Sequence, residues 1–412
     1  MPTRPIRSTM MPVHLSLNHL LERAGQLFAG NEIVSRLPDR SLRRHSYGSF
    51  YARTRQLAQA LLDLGLQPGD RVATLSWNHH AHLECYFGIP AAGGVMHTLN
   101  LRLAPDEIAW IANDAKDRFL VVDDVLLPLL AQFQGQCHFE KIIVFPFSGA
   151  PVQAPFLDYE ALLGRADGKQ FQYVAHHEDD AVSMCYTSGT TGKPKGVVYS
   201  HRSTVLHTLV GCLGDCWGLR SADVVMPVTP MFHANSWGMP YGAVMMGCKL
   251  VFPGPHLHPD DLLDLMQLEP PTLSLGVPTI WMSLIQTYEA SLEKQAGRWK
   301  LPAGMRSLVG GAAVPEALIR ACTAARREAS MPERALTTTS SGAATTASSW
   351  SSAQSIASQM ISAGLSKTPP PIIVVTTRRW PSAAAARKVP RYAPRWSCRS
   401  TGAWCAPSVP RL

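Results

Sequence analysis

The chain has 412 residues, of which 46% are hydrophobic and 17% are charged, and its formal net charge at pH 7 is +8. This apolar content is ordinary for a soluble protein and is enough to bury a large core. Residues 323–412 carry twelve Lys or Arg and two Glu, a net charge of +10, whereas the first 322 residues carry −2. The charge typical of a nucleic-acid or membrane binder therefore belongs to the tail alone.

Targeting signals are not evident at the N-terminus. Asn18, Glu22 and Arg23 interrupt the apolar residues there, so we predict no signal peptide. Apolar runs are all shorter than the roughly eighteen residues of a membrane span. The nine cysteines are odd in number and form no Cys-x-x-Cys pair, which argues against a disulfide framework and predicts a cytoplasmic location.

The first elements in chain order alternate between helix and strand. Leu64–Thr74 predicts the end of a helix at Gly65, a turn, and then a buried strand. Residues 45–175 and 176–322 each continue this alternation, so we predict an α/β protein with two subdomains. Its ligand is expected in the crevice outside the carboxyl ends of parallel strands.

A glycine-rich loop comes next, with the sequence Thr187-Ser-Gly-Thr-Thr-Gly-Lys-Pro-Lys-Gly196. Residues 180–186 predict a short buried strand and residues 197–199 its partner, so the loop is a hairpin connection. Glycines let a backbone approach an anion closely, and the N–H groups of such a turn form an anion-binding nest. Hydroxyl groups and the two lysines, Lys193 and Lys195, favour phosphate as the ligand.

Two other interpretations of this loop are weaker. A Walker P-loop requires Gly-x4-Gly-Lys-Ser/Thr, but Pro194 lies five residues after Gly189 and Val197 lies five after Gly192. An ordinary Gly/Ser/Thr turn is the default for a shorter match. Here the whole string agrees with phosphate binding.

Two downstream segments contain further candidates. Pro230-Met-Phe-His-Ala-Asn-Ser-Trp-Gly238 includes His233 and Trp237, although a single histidine or tryptophan among apolar residues is more often part of the core. Ser307-Leu-Val-Gly-Gly-Ala-Ala-Val-Pro315 places small residues at a predicted strand end. Small residues there leave room for a flat ring.

Together these segments resemble the adenylate-forming enzymes, which include acyl-CoA synthetases, luciferases and peptide-synthetase adenylation domains. The resemblance covers residues 15–322, the family's N-terminal domain. His97-Thr-Leu-Asn100 and Lys249-Leu-Val-Phe-Pro-Gly-Pro255 are most similar to medium- and long-chain fatty-acid ligases and to the relatives that activate methylthiopropionate. The resemblance to adenylate-forming enzymes implies that a carboxylic acid and ATP form an acyl-adenylate with Mg²⁺ as cofactor, and that coenzyme A then displaces AMP.

The resemblance also implies roles for the matching residues. Lys195 and His233 would be catalytic, with His233 beside the acyl carboxylate. Trp237 would gate the acyl tunnel, Gly311 would also contact the acid, and Thr187 would bind the metal. The residues implied in nucleotide binding are Thr187, Ser188, Gly189, Thr190, Thr191, Gly192, Lys195, Gly310, Gly311 and Ala312.

The resemblance ends at Cys322. Residues 323–412 are rich in Ala, Ser, Thr, Pro and Arg and show no useful apolar periodicity. A natural tail of this kind predicts a disordered interaction arm, and binding of nucleic acid through it is a weaker hypothesis. We favour a reading-frame shift, because the family pattern breaks within a helix and the string that follows is nearly free of acidic residues. The family's C-terminal domain would then be missing.

The tail sequence bears on activity. Beyond the Gly-Gly segment, family members have a magnesium-binding Glu, a ribose-binding Asp and a late catalytic Lys. In this chain no Asp follows Asp264, and the late lysines Lys367 and Lys388 lie in unrelated contexts. We therefore expect an impaired fatty-acid ligase. The alternatives are a non-catalytic remnant that binds nucleotide or acid, and a short methylthiopropionate-like substrate. Relatives are often homodimers; no nucleic-acid partner is expected.

Overall fold

A computed structural model describes residues 8–187, 193–294, 297–302, 304–316 and 318 of the chain, and the backbone of residues 373–375. The helices are α1 Leu17–Leu27, α2 Tyr47–Asp63, α3 His80–Ala91, α4 Pro105–Ala115, α5 Leu127–Leu130, α6 Tyr159–Arg165, α7 His201–Gly211, α8 Met239–Met246, α9 Pro259–Leu268 and α10 Pro278–Lys294. No helix among these residues combines the length and the apolar character needed to cross a membrane.

The strands are β1 Glu32–Arg36, β2 Leu42–Ser46, β3 Arg71–Leu75, β4 Val95–Thr98, β5 Asp117–Asp123, β6 Lys141–Phe145, β7 Leu157–Asp158, β8 Ala181–Thr187, β9 Lys195–Ser200, β10 Val224–Pro227, β11 Lys249–Phe252, β12 Leu273–Gly276, β13 Arg306–Val309 and β14 Ile373–Val375. They form two sheets. The first sheet has the order β7-β6-β5-β3-β4-β8-β9, and the second has the order β14-β13-β12-β10-β11-β1-β2. The mixed α/β architecture with two sheets agrees with the predicted fold class.

Most neighbouring strands are parallel, and the antiparallel ones lie at sheet edges. β9 runs antiparallel to β8 at one edge of the first sheet. β2 and β14 form the two antiparallel edges of the second sheet. Apart from β14, the tail predicted to be disordered, residues 323–412, lies outside the described residues.

The predicted boundary between the subdomains, at residues 175 and 176, is wrong. The β8–β9 hairpin extends the first sheet beyond β4, because β8 pairs with β4 in parallel. The second sheet takes β1 from the start of the chain, with Ile33 opposite Leu250 of β11. Alternation along the chain does not reveal pairings across such long separations, so the sequence pattern missed both.

Helix α3 connects the two sheets. All twelve of its residues are buried, and it packs against β1 of the second sheet and β3, β4 and β8 of the first. A helix that is apolar on every side is stable only when it is covered on every side. Its buried Glu84 accepts from Arg53 Nε at 2.7 Å and from the Tyr159 hydroxyl at 2.7 Å, which ties α3 to α2 and α6.

Buried histidines lie near the start of α3. His82 Nδ1 is 3.0 Å from the Trp77 carbonyl, which can only accept, so Nε2 accepts from the Thr74 hydroxyl at 3.1 Å. Burial lowers the pKa of His82 to about 4. His80 stacks on His45 with ring centroids 4.1 Å apart, and burial lowers the pKa of His45 to about 4 as well. These rings are neutral in the folded protein at pH 7.

We expect the free energy of unfolding to fall as the pH decreases from 7 to 5. The unfolded chain binds protons to these histidines near pH 6.5, whereas His45 and His82 in the folded chain resist protonation until about pH 4. The loss is roughly 1–2 kcal/mol per buried histidine over this range. Urea denaturation at several pH values measures it. His82→Gln should flatten the dependence, whereas His138→Gln, at an exposed position, should leave it unchanged; equal slopes in all three proteins would contradict the assignment.

Candidate functional site

The candidate site lies at the carboxyl ends of three parallel strands of the second sheet. β10 leads into Pro230–Gly238, β12 leads into Val277, and β13 leads into Gly310 and Gly311. Adjacent parallel strands end at the same edge of a sheet, so these segments meet there. Sequence reasoning predicted a ligand at such an edge.

Trp237 and Gly311, both predicted to contact the acid, lie together at this edge. Gly311 has φ +83°, and a methyl group in place of its hydrogen would come within 3.8 Å of Trp237 Cζ2 and 3.2 Å of Val277 Cγ1. The indole, at Cζ2, therefore lies near Gly311. Gly310 is buried at the strand end, and Ala312 is exposed beyond it.

The segment that carries Trp237 has an uncommon backbone. Four consecutive residues that are not glycine, Ala234–Trp237, have φ between 45° and 56°, and Gly238 follows with φ 75°. The left-handed conformation costs L-residues about 1–2 kcal/mol each, so other interactions must hold this turn. We call Ala234–Gly238 the left-handed turn. The sequence gives little sign of it, since its only glycine is the last residue.

Buried side chains hold the approach to this turn. Asn78, which follows β3 of the first sheet, donates through Nδ2 to the carbonyls of Pro227 at 2.9 Å and Thr229 at 3.0 Å. Its Oδ1 accepts from the Met231 N–H at 2.7 Å, and the Tyr86 hydroxyl donates to the Met231 carbonyl at 2.5 Å. The connection between β3 and α3, together with α3 itself, therefore fixes the segment that leaves β10.

The turn itself is held by two of its own buried side chains. Ser236 Oγ donates to the Thr229 carbonyl at 2.9 Å. Asn235 Nδ2 donates to Ser183 Oγ at 3.0 Å, and Asn235 Oδ1 accepts from Cys185 Sγ at 3.3 Å. Ser183 and Cys185 belong to β8, so these bonds connect the turn to the strand that precedes the glycine-rich loop.

His233 lies immediately before the left-handed turn, and its side chain is exposed. Partial burial lowers the pKa of His233, and the positive charge of Arg102 lowers it further. The imidazole is therefore neutral at pH 7. Arg102 itself lies over the Phe232 ring, with its guanidinium carbon 5.9 Å from the ring centroid. This cation beside His233 was not singled out from the sequence.

The predicted hairpin is confirmed. β8 and β9 pair in antiparallel register, with Thr187 opposite Lys195 next to the connecting loop, and both residues are exposed. Lys193 Nζ lies 4.8 Å from the centroid of the Trp110 ring. Ser188, Gly189, Thr190, Thr191 and Gly192 lie outside the described residues, so their predicted roles stay predictions.

Two further observations concern ligands. Among the described residues no group of three His, Cys, Asp or Glu side chains could hold a metal ion. A groove of about 250 Å³ lies beside β5 and β6 and is lined mainly by apolar side chains such as Val125, Val144 and Phe156. It contains none of the candidate residues and is not part of this site.

Comparison with known proteins identifies the family. A family model described as AMP-binding enzyme matches residues 21–366. The chain belongs to the AMP-binding enzyme family. This confirms the resemblance to adenylate-forming enzymes. The match extends beyond residue 322, and the domain boundary at that residue stays a prediction.

Similar proteins include several CoA ligases. The chain is 45% identical over 312 residues to a long-chain-fatty-acid–CoA ligase of Thermus thermophilus, covering 76% of this chain and 56% of the relative. It is 42% identical over 315 residues to a 3-methylmercaptopropionyl-CoA ligase of Ruegeria lacuscaerulensis, covering 75% and 57%. A medium-chain-fatty-acid–CoA ligase of Ectopseudomonas oleovorans is 40% identical over 316 residues, covering 76% and 56%. The chain thus spans somewhat more than half the length of these relatives.

Solved structures confirm the fold. An anthranilate CoA ligase, AuaEII, in complex with anthranoyl-AMP matches with a TM-score of 0.67 at 23% identity, covering 78% of this chain and 60% of that one. The N-terminal domain of FACL13 from Mycobacterium tuberculosis matches with a TM-score of 0.61 at 24% identity, covering 75% and 73%. The architecture of this AMP-binding enzyme is therefore the family's fold.

Gly238→Ala should destabilise this AMP-binding enzyme at the turn. An added Cβ would lie 2.7 Å from two atoms of the His207 ring, at a position where φ is +75°. We expect the free energy of unfolding to fall by roughly 2–4 kcal/mol, from steric overlap and backbone strain together. Urea denaturation measures it, and Gly214→Ala is the control, because nothing lies within 4 Å of that position. Similar losses in both variants would show that the turn is not specifically constrained.

Proposed function

We propose that the chain binds ATP and a fatty acid at the strand edge described above, as part of an acyl-CoA ligase. The observation that carries the proposal is the placement of Trp237 beside Gly311, so near that a Cβ on Gly311 would lie 3.8 Å from Trp237 Cζ2, next to a turn that is hydrogen-bonded to β8. An aromatic ring beside a glycine backbone offers an apolar, flat-walled site. The same strand, β8, leads into the glycine-rich hairpin, where phosphates would bind.

The reaction proceeds in two steps. A carboxylate oxygen of the acid attacks the α-phosphorus of ATP, and pyrophosphate leaves. The thiol sulfur of coenzyme A then attacks the carbonyl carbon of the mixed anhydride, AMP leaves, and the thiol proton is released. Negative charge builds up on the phosphates in the first step, so cations placed there in advance stabilise its transition state.

Different residues of the chain would bind the phosphates, the carboxylate, the acyl group and the adenine. Lys195 offers an exposed ammonium group opposite Thr187, next to the loop of the hairpin, where it is suited to bind a phosphate oxygen. His233 is neutral and exposed next to Arg102. The acid's carboxylate can therefore bind beside this pair, in which Arg102 alone carries a full positive charge. Trp237 and Gly311 would contact the acyl group, and Gly310 to Ala312 would contact the adenine.

Magnesium would bind mainly through the nucleotide. The described residues offer no cluster of acidic side chains, but the Thr187 hydroxyl at the end of β8 is an oxygen ligand of the kind Mg²⁺ accepts. Phosphate oxygens would complete its coordination. When bound, the ion neutralises charge on the leaving pyrophosphate.

The acid is a fatty acid of medium or long chain, a proposal supported by the names of the relatives and by the placement of Trp237 beside Gly311. A methylthiopropionate-like acid is the alternative, supported by the relative that is a 3-methylmercaptopropionyl-CoA ligase. The six cysteines described in the structure are all free, which supports a reducing, cytoplasmic compartment. A homodimer stays a prediction.

ATP–pyrophosphate exchange tests this proposal. The 412-residue chain and a version with the downstream reading frame restored would be assayed with acids from butyrate to palmitate and with 3-methylthiopropionate. We expect exchange that is strongest with a medium or long fatty acid. In an active version, Lys195→Ala should lower exchange on the order of 100-fold, because a cation on the transferring phosphate is lost.

The control is Lys169→Ala, which removes an exposed lysine from a loop outside the hairpin and should leave exchange unchanged. Exchange by the restored version alone would mean that the 412-residue chain is impaired. Exchange by neither version with any acid would contradict the proposed function. A preference for 3-methylthiopropionate would mean that the substrate is the short alternative acid and not a fatty acid.

A further inference from the structure

Asn235 occupies the centre of the left-handed turn, between His233 and Trp237. Its side chain is buried, with 6% of the residue exposed, and its φ is 49°. Both ends of its amide are used: Nδ2 donates to Ser183 Oγ and Oδ1 accepts from Cys185 Sγ. The residue thus combines an uncommon backbone conformation with two hydrogen bonds to another element.

The two partners of Asn235 form a matched pair on β8. Ser183 and Cys185 are two residues apart in a strand, so both side chains point to the same face. Burial raises the pKa of the Cys185 thiol, which therefore stays protonated and donates to Asn235. Cys185 Sγ also lies 3.4 Å from Thr98 Oγ1 of β4. The chain of contacts runs from the interior of the first sheet into the turn.

Asparagine suits this position for two separate reasons. Its short polar side chain makes the left-handed region more accessible than it is for most other residues. Its amide also offers a donor and an acceptor at once, which Ser183 and Cys185 require together. Glycine would satisfy the first requirement only, and alanine would satisfy neither.

We propose that Asn235 is a positioning residue for the acyl pocket: its hydrogen bonds to Ser183 and Cys185 fix the left-handed turn on β8 and keep the Trp237 indole beside Gly311. This role rests on the proposed function, because it assumes that the acyl group binds beside Trp237. It goes beyond that function in separating acyl recognition from nucleotide recognition. The hydrogen-bond partners of Asn235, Ser183 and Cys185, precede the glycine-rich loop, whereas the nucleotide contacts are proposed at residues 187–195 and at the end of β13.

Binding measurements on the full 412-residue chain test the proposal. The two probes are AMP and 5′-O-(N-octanoylsulfamoyl)adenosine, a stable analogue of octanoyl-AMP, each titrated by calorimetry. Asn235→Gly keeps the backbone conformation and removes the hydrogen bonds. We expect it to weaken binding of the octanoyl probe about tenfold, equivalent to about 1.4 kcal/mol, and to leave AMP affinity unchanged. Asn235→Ala should weaken binding of the octanoyl probe further and lower the melting temperature of the protein, because alanine also strains the left-handed backbone.

The matched control is Asn113→Ala, which removes an exposed amide whose Nδ2 donates to the Gln136 carbonyl. It should change neither affinity. If Asn235→Gly weakens both probes equally, or neither, the positioning role is wrong while the proposed function stands. If the unmodified chain binds neither probe, the proposed function is wrong.

A ligand-free measurement addresses the link to β8 independently. Urea midpoints would be compared for Ser183→Ala, Asn235→Gly and the double variant. Because the two side chains share a hydrogen bond, we expect the midpoint shift of the double variant to be smaller than the two single shifts combined. Additive shifts would contradict the link and overturn the proposal, whatever the ligand results.

Discussion

The structure depends on how one segment, Pro227–Gly238, is held between two sheets. It leaves β10 of the second sheet, yet most of its side-chain hydrogen bonds join it to residues outside that sheet: Asn78 after β3, Tyr86 of α3, and Ser183 and Cys185 of β8. Four left-handed residues cost roughly 4–8 kcal/mol. The seven side-chain hydrogen bonds described above contribute about 1 kcal/mol each, roughly 7 kcal/mol together. The two quantities are similar. Four of these bonds hold the approach to the turn and three hold the turn itself, so the left-handed backbone depends on both sets.

This constraint explains why the candidate site lies where it does. The ends of β10, β12 and β13 bring Trp237, Val277 and Gly311 to one edge of the second sheet. The bonds of Asn235 then attach that edge to β8, whose last residue begins the glycine-rich loop. A ligand that has both an acyl group and phosphates can therefore contact this edge with its acyl group and the glycine-rich loop with its phosphates. Backbone strain of this kind is typical of a functional site in which a side chain must keep a fixed orientation.

Local sequence signals were sufficient for part of this arrangement. The β8–β9 hairpin could be predicted because its strands and its loop are contiguous, although the paired strands extend to Thr187 and Lys195, which the sequence placed in the loop. The closeness of Trp237 and Gly311 followed from the family resemblance rather than from the residues themselves, since each alone is compatible with ordinary packing. The left-handed turn was missed because four residues without a glycine give no signal for positive φ. Asn78 and the placement of β1 were missed because their partners lie about 150 to 220 residues away in the sequence.

The central claim is that this edge of the second sheet binds an acyl-adenylate. A crystal structure of the chain with 5′-O-(N-octanoylsulfamoyl)adenosine tests it most directly. The account predicts the adenine against Gly310–Ala312, the sulfamate between His233 and the hairpin, and the octanoyl chain beside Trp237, with the left-handed turn intact. Electron density for the octanoyl chain at any other place, or a turn that unwinds when the ligand binds, would contradict it.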